Sequence, residues 1–151
     1  GGIAVGRAMT DRPEMFAGVI DDVQDANMTR LVFTPDGPLD TAEFGSVRTE
    51  QGFRNLLEMD TYQHIRNGVR YPAILITMGL NDPRIAPWMP AKLAARMQAS
   101  GTPNPVLLLV QSDQGHGIGW TKAQGDRYFT DIISFMFWRA GIKGWRPTRP
   151  H

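Results

Sequence analysis

The residues of this chain best suited to chemistry are an acid and a histidine, each placed just past a short apolar run. Asp82 stands in Asn81-Asp82-Pro83-Arg84, and His116 follows it in Asp113-Gln114-Gly115-His116-Gly117. A carboxylate that orients an imidazole, and an imidazole that takes a proton from a nucleophile and returns it to a leaving group, are two of the three parts of a hydrolytic triad. Acid before histidine is one of the chain orders in which such triads occur. The local sequence suits both roles. Pro83 stiffens the backbone beside the carboxylate, and Gly115, Gly117 and Gly119 clear space around a ring whose two nitrogens must meet different partners. Singly, each residue has a plainer reading: Asn-Asp-Pro is a common Asx-turn sequence, and a loop histidine is often held by local hydrogen bonds. Their coincidence, in this order and each after a strand-like run, favours the triad.

The third part is missing. None of Ser46, Ser100, Ser112 and Ser134 lies in the G-x-S-x-G setting of a nucleophile elbow, and the chain has no cysteine. It opens instead with Gly1-Gly2, which reads as the end of an elbow whose serine lies just upstream. The expectation is the C-terminal part of a catalytic domain that begins beside its nucleophile. Arg84, two residues past the acid, could donate paired hydrogen bonds to a substrate carbonyl or carboxylate, or serve as a surface ion-pair partner. Trp88 and Trp120 lie near Asp82 and His116 in sequence, with packing as their expected use. His64 reads as a helix-end or surface residue. Three scattered histidines without an H-E-x-x-H pattern give no expected metal site, and no cofactor is expected.

Three apolar runs must position these groups: Phe16 to Ile20, Ala73 to Met78 and Val106 to Val110. Continuous apolar residues bounded by Pro72, Gly79 and Pro105 predict strands buried on both faces of a parallel sheet. Helical patterns fall between them. Ile3 to Thr10 is a short helix in which Gly6 permits close packing. Gln51 to Met59 is a helical stretch, and Pro90 to Ser100 carries Leu93 and Met97 four apart. Thr121 to Ala140 has a broad apolar face made by Tyr128, Ile132 and Phe135 beside Phe129, Ile133 and Met136, closed by Gly141. Asp36-Gly37-Pro38 and Gly45-Ser46 mark a loop-rich excursion. Strands alternating with helices predict an α/β fold with a mostly parallel sheet. Residues 1–143 read as the domain portion and 144–151 as a surface strap or disordered tail.

A hydrophobic content of 42% can bury a core. Lys+Arg 16 against Asp+Glu 15, without a run of like charge, excludes the electrostatic footprint of a nucleic-acid binder. No apolar run approaches the ~18 to 20 residues of a membrane span, so a membrane is not an expected partner. The absence of cysteine fits a reducing or an oxidising compartment; the cytoplasm is favoured over the periplasm.

The segment from Gly1 to Phe16 closely resembles the stretch that follows the nucleophile in the prolyl oligopeptidase family of serine peptidases, where the elbow reads G-G-S-x-G-G. Glu43-Phe44-Gly45-Ser46, Tyr71-Pro72-Ala73-Ile74-Leu75, Asn81-Asp82-Pro83-Arg84 and Gly115-His116-Gly117 are similar to further family landmarks, in the same order, so the resemblance extends to about Ala140. It implies the C-terminal portion of an α/β-hydrolase fold, Asp82 as triad acid, His116 as general base and Arg84 as the arginine that binds a substrate backbone carbonyl. It also implies an oligopeptide substrate, the upstream remainder of the catalytic domain and a β-propeller domain outside this chain. Where proline-preferring members carry an indole in F-x-W-L, this chain has Phe53-Arg54-Asn55-Leu56. Asn55 cannot stack as an indole does, so a strong proline preference is not expected.

The leading function is thus a serine-type peptidase acting on short peptides by acyl transfer. An esterase with the same machinery and a non-catalytic βα binding fragment are the alternatives.

Overall fold

Ala73–Gly79 (β2) is apolar but for Thr77, and it is buried along its whole length as the centre of a three-stranded parallel sheet. The structure, a computed structural model, describes residues 1–117 and 120–144. Gly18–Asp22 (β1) lies on one side of β2 with Asp21 opposite Ile76, and Val106–Gln111 (β3) lies on the other with Leu108 opposite the same residue. Side chains alternate across a strand. Ile74 and Ile76 therefore join Val19 on one face, against Met9 of the helix Gly2–Asp11 (α1). Leu93, Ala94 and Met97, from a second helix on this face, complete the cluster. Ala73 and Leu75 point the other way, against Ile132 and Phe135 of the C-terminal helix. Each fully buried Ile or Leu here stabilises the fold by about 1.5–3 kcal/mol.

The connections explain the layering. Between β2 and β3 runs Trp88–Gln98 (α5), giving a βαβ unit. After β3 comes Lys122–Arg139 (α6), which covers the opposite face. Thr121 caps it in a reciprocal box: its hydroxyl accepts from the Gln124 amide, and its own N–H donates to Gln124 Oε1 at 2.9 Å.

A 3-10 turn at Pro13–Met15 precedes β1, and between β1 and β2 lies a long excursion: a 3-10 turn at Met28–Phe33, then helices Gly37–Phe44 (α2), Glu50–Met59 (α3) and Thr61–His64 (α4). Its Met28, Leu31 and Leu56 form a small core with Met89 of α5. Buried Asp60 ties it together. Its Oδ2 accepts from Asn27 Nδ2 (3.0 Å) and from the Thr29 amide and hydroxyl (2.9 and 2.7 Å), and its Oδ1 from the Gln63 amide (3.0 Å). Lys92 of α5 donates to Asn27 Oδ1 at 2.6 Å, which fastens the excursion to the βαβ unit.

Several expectations shift. The first strand starts at Gly18, because the 3-10 turn ending at Met15 leaves Phe16 outside the sheet. Burial on both faces holds for β2 alone. Leu107 and Val110 of β3 are 42% and 45% exposed, because β3 has one neighbouring strand among the described residues and α6 packs on β1 and β2. The loop-rich excursion contains a regular helix, α2, with Pro38 in its first turn, where a missing N–H costs nothing. The last helix runs as expected, yet Phe129, Ile133 and Met136 are exposed beside buried Tyr128 and Phe135. Gly119 and residues 145–151 of the expected tail lie outside the described residues. Among the described residues no helix is long and apolar enough to cross a membrane.

Candidate active site

The loops after β2 and β3 are joined by their backbones before any side chain contributes. Leu80 N–H donates to Gln111 O and Asn81 N–H to Gln114 O, both at 3.0 Å. Their approach requires glycine: a Cβ on Gly79 would meet the carbonyl oxygens of Gly115 and Gln114, the latter at 2.5 Å. Gln124 Nε2 bonds Asp113 Oδ2 at 2.8 Å and holds the histidine loop to the start of α6.

On this platform Asp82 uses its two oxygens differently. Oδ1 accepts from the amides of Arg84 (2.8 Å) and Ile85 (2.9 Å), closing an Asx turn, while Oδ2 meets His116 Nδ1 at 2.8 Å. One side chain thus makes both the turn and the contact with the histidine. A carboxylate only accepts, so this contact places the ring proton on Nδ1. The Asp82 side chain is 2% exposed and that of His116 is 21% exposed. The acid is sequestered while the imidazole reaches a cavity.

That cavity has a volume of ≈ 240 Å³. Beside His116 its walls include Arg84 and Ile85 of the acid loop and Gly1, Gly2 and Ile3 at the start of α1. Asp22, Val23 and Asp25 enter from the end of β1, and Asp36, Asp40, Glu43 and Phe44 from α2. Gly1 O accepts from Ala4 N (3.1 Å), so the positive end of the α1 dipole faces this space. Gly2 and Gly6 let α1 approach closely: a Cβ at either would collide with Gln24. Val23 holds φ 47, a left-handed conformation that is costly for a β-branched residue, at the edge of the cavity. No serine, threonine or cysteine is among the lining residues.

The electrostatics are dominated by acids. Burial, then repulsion by Asp40, pushes the Asp25 carboxyl up to about 6, and one of its oxygens is buried without a hydrogen-bond partner. Asp40 is also raised, first by burial and then by Asp36. Asp21, fully buried on β1 with neither oxygen bonded, is raised to about 8 by desolvation and by Asp22. Among the described residues no group of three His, Asp or Glu side chains is arranged to hold a metal ion.

Three of the four expected site residues converge: Asp82, His116 and Arg84. Asn55 does not join them. It is exposed on α3, accepts from Gln51 Nε2 at 2.8 Å, and is not among the residues that line the cavity. Trp88 packs on the Met28 and Leu56 cluster, and Trp120 lies 4.6 Å from the Tyr128 ring, both in packing roles. His64 ends α4, with Nδ1 2.8 Å from Asp60 O. Sequence reasoning missed the acidic wall. The signal was present as Asp36, Asp40 and Glu43, spaced to share one helical face, but it was invisible while that stretch read as loop.

A parallel sheet flanked by helices, with an acid and a histidine hydrogen-bonded across the carboxyl ends of adjacent strands, is the C-terminal part of an α/β-hydrolase fold. Residues 1–142 match the Prolyl oligopeptidase family of peptidases, and the chain belongs to that family. It is 28% identical over 145 residues to a prolyl endopeptidase of Elizabethkingia miricola, covering 95% of this chain and 21% of the relative. It is 28% identical over 120 residues to Protease 2 of Moraxella lacunata, covering 78% and 17%. A solved structure from a study of two prolyl endopeptidases and their inter-domain dynamics superposes with a TM-score of 0.91 at 33% identity, covering 95% of this chain and 21% of that one. The chain thus spans about a fifth of the length of these relatives.

Proposed function

We propose that residues 1–143 supply the acid and the base of a serine peptidase, with the nucleophilic serine contributed by sequence that precedes Gly1. The observation that carries this reading is the 2.8 Å contact between Asp82 Oδ2 and His116 Nδ1, beside a cavity walled by Gly1 and Gly2 that contains no hydroxyl or thiol. In this reading the unprotonated Nε2 of His116 accepts the serine proton as the serine oxygen attacks a peptide carbonyl. The imidazolium, held by Asp82, then protonates the leaving amine, and water repeats the cycle to release the acid. The start of α1 places partial positive charge near the developing oxyanion.

Arg84 is exposed, lines the same cavity, and forms no ion pair among the described residues, which leaves its guanidinium for a substrate carbonyl. The substrate is a short peptide, and the rest of the catalytic domain and a β-propeller complete the enzyme. The test is fluorophosphonate labelling of the full-length protein with mass mapping. An adduct on a serine just before Gly1, lost in His116→Ala, is the expected result; an unlabelled full-length protein that hydrolyses no peptide amide refutes the reading.

A further inference from the structure

We propose that Asp21 is a positioning residue for the nucleophile: as an uncharged acid it hydrogen-bonds to the backbone of the strand-to-helix turn that leads into Gly1, and on ionising it releases that turn. This rests on the serine-peptidase reading, in which the turn carries the serine, and it adds a pH-dependent hold on that serine from beneath.

Asp21 is fully buried, and neither of its oxygens has a partner among the described residues. Alternation along β1 sends it to the same face as Val19, the face that α1 covers, and the register sets it opposite Ile76 of β2. A carboxylate in that place would be desolvated and unbonded at once, and a group so placed gives up its charge instead. Burial first, and then the charge of Asp22, pushes the Asp21 carboxyl up to about 8. The other charges around it are committed elsewhere. β2 carries no ionisable side chain, Arg7 and Asp11 of α1 are paired with each other at 2.8 Å, and α6 packs on the opposite face of the sheet. On α5, Lys92 donates to Asn27 and Arg96 to Asn67. The amino group of Gly1 opposes the rise. In a chain that continues before Gly1 that group is an uncharged peptide nitrogen, so the rise persists without it.

Two observations direct Asp21 to the backbone entering α1. Gly1 N stands near enough for its charge to act on the carboxyl. Gln24, against which Gly2 packs so tightly that a Cβ would lie 2.7 Å from its side chain, also has a buried Oε1 without a partner, although its Nε2 donates to Thr61 Oγ1 at 2.7 Å. Two buried polar side chains thus keep hydrogen-bonding capacity beside one stretch of backbone. A turn between a strand and a helix can match that capacity, because the first N–H groups of a helix and the carbonyls of the turn have no partners within the helix. An uncharged carboxyl serves both kinds: its O–H donates to a carbonyl, and its other oxygen accepts from an N–H. The side on which Asp21 points is also the side toward which the turn must climb to reach α1.

The experiment uses the full-length enzyme and reads kcat, KM and the rate of fluorophosphonate labelling against pH. With the unmodified enzyme, kcat and the labelling rate should fall together as pH rises through about 8 or above, with KM unchanged, because ionisation turns the donor into a second acceptor. Asp21→Leu, similar in volume but without polar atoms, should lower kcat at least about tenfold at every pH, since small displacements at a reacting centre cost this much. Asp21→Asn keeps a donor and an acceptor but cannot ionise. It should recover most of what Asp21→Leu loses, without the alkaline fall. Stability separates positioning from packing. A carboxyl raised by burial destabilises the fold progressively from its ordinary 3.8 up to about 8 and no further, so the melting temperature should level off where kcat begins to drop. That readout needs no substitution, and it decides the matter if neither variant folds. An alkaline fall in Asp21→Asn equal to that of the unmodified enzyme, an undiminished kcat in Asp21→Leu, or an unmodified enzyme whose kcat reaches a plateau without falling overturns this inference and leaves the peptidase reading standing. An enzyme neither labelled nor active at any pH overturns both.

Discussion

Gly79 and Gly115 approach so closely that a Cβ on the first would collide with the carbonyl oxygen of the second. The contact joins the loops that carry Asp82 and His116 and limits how far apart the two loops stand. Gly79→Ala must therefore push the histidine loop away. Displacements of about 1 Å at a reacting centre can cost roughly a hundredfold in rate. Full-length Gly79→Ala is expected to lose between ten- and a hundredfold in kcat/KM on a peptide amide while its binding of a substrate-like inhibitor changes little. Wild-type kinetics would show that the loops tolerate the added methyl.

The two duties of Asp82 can be separated. In Asp82→Asn a side-chain oxygen still accepts from the Arg84 and Ile85 amides, so the turn survives, but the ring proton of His116 is no longer held on Nδ1. An asparagine in this role elsewhere lowers kcat about 10⁴-fold, and a comparable loss is expected with little change in melting temperature. Asp82→Ala removes the turn as well and should cost an additional ~1–3 kcal/mol of stability, because two amides lose their partner. Kinetics and thermal denaturation of the pair decide this; equal stability of the two variants would remove the turn from the account.

The acidic wall predicts a pH signature. Asp25 titrates near 6, raised from 3.8 first by burial and then by Asp40, with Asp82 raising it further and His116 opposing them. Below that pH Asp25 is neutral, and above it the full negative charge faces the cavity. Carbon NMR of the full-length protein should give the Asp25 carboxyl a midpoint near 6 rather than near its ordinary 3.8. Asp40→Asn should lower that midpoint, because Asp40 is the neighbouring charge that raises it most; an unchanged midpoint in that variant assigns the shift to burial alone.

Alone, the 151-residue chain should be catalytically silent and prone to associate. The outer edge of β1 has no strand partner among the described residues, and Asp21 on that strand is buried with both oxygens unbonded. Unpaired edges invite intermolecular pairing. Sedimentation of the isolated chain should show concentration-dependent self-association, and fluorophosphonate should label it at background. A monomeric, cooperatively melting chain that labels stoichiometrically would contradict both halves.

The strands were readable because a parallel sheet buries its central strand on both faces, which leaves an unbroken apolar run such as Ala73 to Met78. The acid and the histidine were readable because each stands where such a run stops. α2 was not readable: Asp36-Gly37-Pro38 and Gly45 are the ends of a helix, yet the same residues punctuate loops, and only the tertiary fold separates the two uses. The distance of Asn55 from the cavity was unreadable for a related reason. Phe53-Arg54-Asn55-Leu56 fits a local pattern, but α3 buries Leu56 and turns Asn55 to solvent, whereas the wall of the cavity comes from a helix ten or more residues earlier.

The long connection between β1 and β2 has an evolutionary consequence. The Asp82 and His116 pair hangs from the ends of β2 and β3, while much of the acidic wall of the cavity hangs from α2, which packs on the 3-10 turn Met28–Phe33 and on α3. Substitutions along α2 can therefore recast the charge of the cavity wall without touching the Asp82 and His116 loops. In a lineage built on this plan the lining of the cavity and the acid–histidine pair can evolve separately, the pair held in register by the close approach of Gly79 to Gly115.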